Sequence, residues 1–232
     1  MGSGQRARCL LDVGCFGLGV KLKTLLFGSV SFVFLWFLGW EAWGIWDARE
    51  KTATIFAPYR SASTGGWDRL RPDQQEMLLA VVDPGFFGHR GLDMRTPGGG
   101  GQTVTQILAD HLYVARVTPG FFRLESGLIS FFVIDPLVAK EVQLNAFLTV
   151  VDMGTRSDVV VTGFQDAARI YFRAPLRDLS PEQFARLVAM VRDPVLFAMS
   201  SDANWERTDR IMALTEGRCA PNGPRDYLFE AC

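Results

Sequence analysis

Histidine is scarce in this chain. There are only two, His89 and His111, and the four cysteines, Cys9, Cys15, Cys219 and Cys232, follow no zinc-site spacing. A structural or catalytic metal held by His and Cys is therefore not expected. An excess of charge is also missing: 24 Lys+Arg stand against 25 Asp+Glu. That balance argues against a nucleic-acid binder held by bulk positive charge. Hydrophobic residues make up 48% of the 232 and charged residues 21%, which excludes wholesale disorder. The length suits one domain with a real core plus an anchor or tail. Mean hydropathy is +0.12, high for a soluble protein, so the apolar excess must be concentrated somewhere.

It is concentrated where charge is missing altogether. The run Thr24 to Trp40, TLLFGSVSFVFLWFLGW, has no ionisable side chain and comes close to the lower length limit for crossing a bilayer. Trp36, Trp40, Trp43 and Trp46 form an aromatic belt at its end. Arg6, Arg8, Lys21 and Lys23 precede it, whereas the charges after it nearly cancel. The positive-inside bias puts residues 1–23 in the cytoplasm, a single-pass anchor at 24–46 in the inner membrane, and the rest on the outer, periplasmic face. No small-x-small cleavage site follows the run, against a cleaved signal peptide, and no polar face marks it, against a core helix. On this topology Cys9 and Cys15 stay reduced, while Cys219 and Cys232 lie outside and are expected to close the tail, 216–232, with a disulfide.

Residues 47–71 read as a connecting stretch ending in the turn-rich Ser61–Gly66. Helical spacing starts at Pro72, with Asp73 as N-cap, and Pro84-Gly85 ends it. Further helices are expected at Thr103–Leu112, along the apolar run Leu124–Ile134 up to a break at Pro136, at Ala139–Val151 and at Gln165–Tyr171. SPEQFARLVAMV, with Ser180 as N-cap and a proline in the first turn, and Asp202–Leu214 complete the domain, 72–215. Helices are many and alternating strand patterns few, so the fold class is mainly α.

Single motifs here are weak, but their order is not. VDPGFFGHRGLD at Val82–Asp93 resembles the first motif, EDxxFxxHxGxD, of the family-51 glycosyltransferases, the peptidoglycan transglycosylases. GGQTVTQILADHL at Gly100–Leu112 resembles the second, GGSTITQQLAKNL, and KEVQLNAFLTVVDMG at Lys140–Gly154 the fourth, KxxILxxYLNxxxFG. The stretch Gly163–Pro194 and RTDRIM at Arg207–Met212 are similar to the family's remaining motifs. The likeness is collinear over about residues 60–215 and most resembles the monofunctional, membrane-anchored type. It implies a lysozyme-like core and the polymerisation of lipid II. It also implies a first-motif glutamate as general base, a second glutamate at the pyrophosphate leaving group, and a divalent cation if the chain is active.

The departures from that pattern fall on the chemistry. Val82 stands at the general-base position, and valine cannot accept a proton. The second glutamate aligns with Glu125 or, without a gap, with Gly127; we favour Glu125. Of the basic pair beside it only Arg123 is present. The second-motif Lys is Asp110, which reverses a charge worth about 4 kcal/mol at roughly 4 Å and an effective dielectric near 20. By the resemblance Gly101, Gln102, Thr103, Gln106, Arg123, Lys140 and Arg207 are candidate substrate contacts. His89, Asp93, Gly154 and Tyr171 are read as structural.

Two functions follow. The favoured one is a catalytically impaired, membrane-anchored protein of cell-wall biogenesis. It acts by binding lipid II, glycan strands or an active synthase. The alternative is an active, divergent glycosyltransferase in which Glu125 or Asp83 carries the acid–base work. A lysozyme-like cleaving enzyme is a weaker third, since Val82 removes the obvious acid. Phe121-Phe122 and Phe131-Phe132 are read as either a lipid-touching surface or plain core.

Overall fold

The structure, a computed structural model, describes the backbone of residues 12–61, 66–113 and 122–232, and side chains within those ranges except at 12–27, 122 and 123. The chain divides into two compact units, Met1–Gly44 and Ile45–Cys232. The fold is mainly α. Helix α1 runs Asp12–Phe56. Within and just beyond it, Gly28–Tyr59 is the one stretch among the described residues long and apolar enough to cross a membrane. Val30, Phe32, Val33, Phe34, Leu35 and Trp36 are all exposed. A helix apolar on every side, with no polar face for water, suits a lipid surround. The side chains of Cys9, Cys15 and the basic residues before the run lie outside the described residues.

Part of the expected connecting stretch, 47–71, is helix instead. Helix α1 continues to Phe56 because residues past the apolar run still serve a helix: Asp47 pairs with Lys51 at 2.9 Å, one turn on. Ala48, Thr52 and Phe56 form a buried face in the core of the second unit. Short 3-10 turns follow at Ala57–Tyr59 and Trp67–Arg69, and residues 62–65 lie outside the described ones.

Helix α2 (Pro72–Val82) has Arg71, not Asp73, at its cap position. Pro72 occupies the first helical position, where a missing N–H costs nothing. Asp73 lies inside the first turn and pairs back with Arg71 at 2.9 Å. Helix α3 (Val104–Tyr113) starts after Thr103. Thr103 and Gln106 cap each other: the Gln106 N–H donates to Thr103 Oγ1 and the Thr103 N–H to Gln106 Oε1, both at 3.1 Å. Helix α4 (Phe122–Ile129) passes into a π-helical turn at Ser130–Ile134 and then α5 (Asp135–Leu137). The expected break at Pro136 does not fall there. The proline lies in the first turn of α5, where it needs no N–H acceptor, and the chain leaves the helix only at Val138.

Helix α6 (Lys140–Val150) leads to a hairpin of β1 (Asp152–Arg156) and β2 (Val159–Thr162). Ser157 and Asp158, both at left-handed φ (50° and 64°), turn the chain in the way two-residue hairpins require. Helix α7 (Phe164–Ala167) ends in a second π turn, Ala168–Phe172. Helix α8 (Pro181–Met190) starts at a Ser180 cap whose hydroxyl accepts from the Gln183 N–H at 3.2 Å. Helix α9 (Asp202–Thr215) is the last. Leu78, Leu108, Leu144, Phe147, Phe164 and Phe184 are wholly buried where these helices meet. Burying each stabilises the fold by roughly 1.5–3 kcal/mol. The tail folds back, closed by a Cys219–Cys232 disulfide, and Phe229 is buried in the same core.

Candidate active-site cleft

Two groups of residues flank the C-terminal end of α2, and they do different things. The first is a polar network under the loop that joins α2 to α3. Asp83, buried at the end of α2, accepts a hydrogen bond from His89 Nε2 at 2.8 Å through one oxygen. Through the other it accepts from the Val104 N–H at 3.0 Å, so its charge lies at the positive end of α3. Asp93 holds the same loop by accepting the N–H groups of Arg95 (2.8 Å) and Thr96 (3.0 Å). Burial raises the Asp93 pKa, but the hydrogen bonds from Thr96 and from the loop backbone outweigh it and leave the group below its ordinary value. Ligand atoms of Asp83, His89 and Asp93 lie within 4.8 Å of one another, a spacing open to a cation.

Thr103 Oγ1 donates to the Gly91 carbonyl at 2.7 Å and ties the loop to the start of α3. Lys140 is committed in the same region. Its ammonium donates to the His89 carbonyl (3.1 Å), pairs with Asp135 (2.8 Å) and lies 4.4 Å from the Phe86 ring centre.

The second group lines a small pocket: Val81, Val82, Gln102, Ile107, Val188, Val191, Arg192 and Arg207. Val82, the last residue of α2, lines this pocket, while Asp83, whose backbone has already left the helix (φ -158°, ψ 76°), carries its carboxylate into the network. No carboxylate is among these eight residues. Gln102 donates through Nε2 to Asp110, which is itself buried on α3.

Arg207, on α9, is only 3% exposed. Its Nη2 donates to the Tyr227 carbonyl at 3.3 Å, and its guanidinium lies 5.0 Å from the Phe197 ring. Burial pushes its pKa down to about 10, and the neighbouring Arg192 and Arg210 push the same way. It still carries its charge at neutral pH.

Of the expected substrate contacts, the structure thus brings Gln102 and Arg207 to the pocket, with Gly101 beside it against Arg192. Thr103 and Gln106 cap α3, and Lys140 serves the network. The Arg123 side chain lies outside the described residues. Glu125 is half-buried on α4 and is not a pocket residue. Tyr171 donates to the Met153 carbonyl at 2.8 Å, and Gly154 adopts φ +81°, so both shape the hairpin region.

Arg192 was missed from sequence. Its signal is faint, a single arginine just past the end of α8, and only the fold carries it to Gly101. The hairpin was missed as well, although Ser157-Asp158 before Val159-Val160-Val161 is a turn followed by a β-branched run.

The curated relatives give this geometry a context. The chain is 27% identical to a biosynthetic peptidoglycan transglycosylase of Dechloromonas aromatica over 206 residues, 76% of this chain and 86% of that one. It is 27% identical to a protein of the same name from Burkholderia pseudomallei over 215 residues, 82% and 78% of the two chains. It is 33% identical to penicillin-binding protein 1B of Haemophilus influenzae over 138 residues, which is 53% of this chain and 17% of that much longer one. Residues 50–216, spanning the network, the pocket and all of α2 to α9, match the Transglycosylase family, and the chain belongs to it.

Proposed function

We propose that this is a membrane-anchored protein of cell-wall biogenesis that binds lipid II, or the glycan strand made from it, without polymerising it. The observation that carries the reading is the Val82 side chain in a pocket with no carboxylate among its lining residues. Glycosyl transfer onto a sugar hydroxyl needs a group that takes up the hydroxyl proton, and a positioned general base is worth about 10²–10⁴-fold in rate. Val82 cannot do this. Asp83 is an unsuitable stand-in, since it is buried in the network with both oxygens engaged. The reversed charge at Asp110 further weakens the handling of a pyrophosphate leaving group. The intact fold supports a binding role over simple decay.

The anchor, with its N-terminus inside, keeps the second unit at the outer face of the inner membrane, where the lipid-linked precursor is presented; an active synthase is the natural neighbour there. The test is purified full-length protein in detergent with labelled lipid II. Saturable binding with no glycan product is expected. Glycan chains made by the wild-type protein, and abolished by Glu125→Gln, would establish the active alternative instead.

A further inference from the structure

We infer that the disulfide-closed tail, residues 219–232, is a redox-set clamp on the pocket. Oxidised, it holds the Gly-rich loop and Arg207 in the arrangement that binds precursor, and reduction lets both go. The inference deepens the binding reading above, by assigning its regulation, and rests on it.

The Gly-rich loop is shaped to receive the tail. MRTPGGGG, at 94–101, ends in four positions without a side chain, and the tail occupies two of the gaps. A β-carbon on residue 100 would overlap the Pro224 carbonyl. One on residue 98, where φ is +77°, would fall 3.0 Å from the Phe229 ring and 3.1 Å from Pro221. Glycine is what lets the two stretches of chain come this close. The approach is also bonded: the Gly98 N–H donates to the Gly223 carbonyl (3.0 Å) and the Gly100 N–H to the Pro224 carbonyl (2.7 Å).

The loop runs straight into the pocket. Gly101 lies against Arg192, and Gln102 is on the lining. Holding residues 98 and 100 therefore fixes one wall. The tail fixes another through Tyr227. Its carbonyl accepts from Arg207 Nη2 at 3.3 Å, and its ring lies 4.4 Å from the Arg192 guanidinium carbon. Arg192 and Arg207 both line the pocket. Phe229, wholly buried, seats the same segment in the core.

The hold is conditional because the segment has no ladder of its own. Residues 219–232 contain neither helix nor strand. Their shape rests on the turns around Asp226 and on the Cys219–Cys232 bond. Joining the ends removes much of the freedom the tail would gain on leaving the loop. Both cysteines are half-buried, within reach of a small dithiol. Such a reductant breaks the Sγ–Sγ bond by supplying two electrons and two protons. Two cysteine thiols form, and the reductant leaves as its own disulfide. The tail must then dock as an open chain, and the loop and Arg207 lose their common tie.

The test is hydrogen exchange together with lipid II titration, on the full-length protein in detergent. Oxidised and dithiothreitol-reduced samples are compared, both alkylated so that Cys9 and Cys15 do not differ. The Gly98 and Gly100 amides report the clamp directly. On reduction their exchange should accelerate at least about tenfold while amides of α8 keep their protection, and lipid II affinity should fall at least about fivefold. Gly100→Ala separates the contact from the bond. It keeps the disulfide but crowds Pro224 off the loop, so Gly98 protection and lipid II affinity should both fall as on reduction. Glu216→Gln, in an exposed pair with Arg218 just before the tail, should change neither. Exchange at Gly98 and Gly100 that stays within about twofold on reduction overturns the clamp and leaves precursor binding standing. A loosened loop with undiminished lipid II affinity overturns it too. An oxidised protein that binds no lipid II overturns the binding reading and the regulation with it, while the exchange difference persists.

Discussion

The Arg192 guanidinium lies against Gly101 so closely that a β-carbon on residue 101 would overlap it. A glycine at this point is what lets an arginine from the end of α8 reach the pocket. Gly101→Ala should therefore expel Arg192. A guanidinium is the far end of a flexible side chain, so the fold should adjust at a cost below about 1 kcal/mol, as for most substitutions away from a packed core. Lipid II binding by the folded variant should weaken. Titration and thermal melting of the same variant check both halves, and full affinity in Gly101→Ala would show that the close approach has no role in binding.

Restoring the missing groups should restore chemistry if only the chemistry was lost. Val82→Glu points a carboxylate into the pocket, and Asp110→Lys reverses the charge that Gln102 now faces. The double variant should gain roughly 10²-fold or more in lipid II polymerisation over wild type, within the range a general base supplies. Gel analysis of glycan products would register it. A double variant that stays folded, binds precursor and makes no polymer would place the defect elsewhere, with Arg123 and Glu125 as the next to change.

Asp83 should behave as a structural residue. Its two oxygens hold His89 and the first N–H of α3. Asp83→Ala leaves a buried N–H and an imidazole unpartnered, each costing about 1–3 kcal/mol. Denaturant unfolding should show a loss of that size. Asp83→Asn keeps a carbonyl oxygen for one of the two bonds and should lose less. Precursor binding by the folded fraction should be unchanged in both. A catalytic role would reverse the pattern, with stability kept and any turnover lost.

Much of this fold was readable in the sequence because helices announce themselves locally. Ser180 with Gln183, and Thr103 with Gln106, are capping pairs within one turn, and the heptad-like spacing of Met77, Leu78 and Val81 fixes which face of α2 is buried. What was hidden depends on distance along the chain. Arg192 meets Gly101, and Tyr227 meets Arg207, only after α8, α9 and the tail have packed, and no local pattern encodes such meetings. The continuation of α1 to Phe56 was hidden for a related reason: charged residues after an apolar run suggest a linker, whereas here Ala48, Thr52 and Phe56 place a buried stripe among them.

The disulfide should matter to binding as well as stability. Cross-linking residues 13 apart removes unfolded-state freedom worth about 3 kcal/mol in the chain-entropy account. The Cys219→Ser, Cys232→Ser double variant should lose 2–3 kcal/mol or somewhat less by that estimate. Because Tyr227, whose carbonyl accepts from the pocket residue Arg207, lies in the closed loop, lipid II binding should weaken with it. Reduction of the wild-type protein should reproduce both effects, and reoxidation reverse them. A reduced protein with undiminished affinity would mean that the hydrogen bonds at Gly98 and Gly100 hold Tyr227 unaided.

Acid should loosen the same tail before it melts the core. Burial raises the pKa of Asp226, but the N–H groups of Asn222, Glu230 and Ala231 donate to its carboxylate and hold the value below the ordinary one. A carboxyl whose folded pKa lies below its unfolded pKa, about 3.9, stabilises the fold above that value and loses the contribution as pH falls through the folded one. The window is therefore below about pH 4, and neutral or alkaline conditions leave the contribution intact. Hydrogen exchange is the measurement: at a pH below the folded pKa, after correction for intrinsic rates, the amides of Asn222, Glu230 and Ala231 should lose protection that they have at pH 7. Amides of α8, packed around Phe184 and Leu187, should keep theirs. Asp226→Asn should bring the loss to pH 7 and remove its pH dependence. Equal protection of the tail amides at both pH values would mean that the carboxylate does not organise this segment, and that the disulfide and the buried Phe229 suffice.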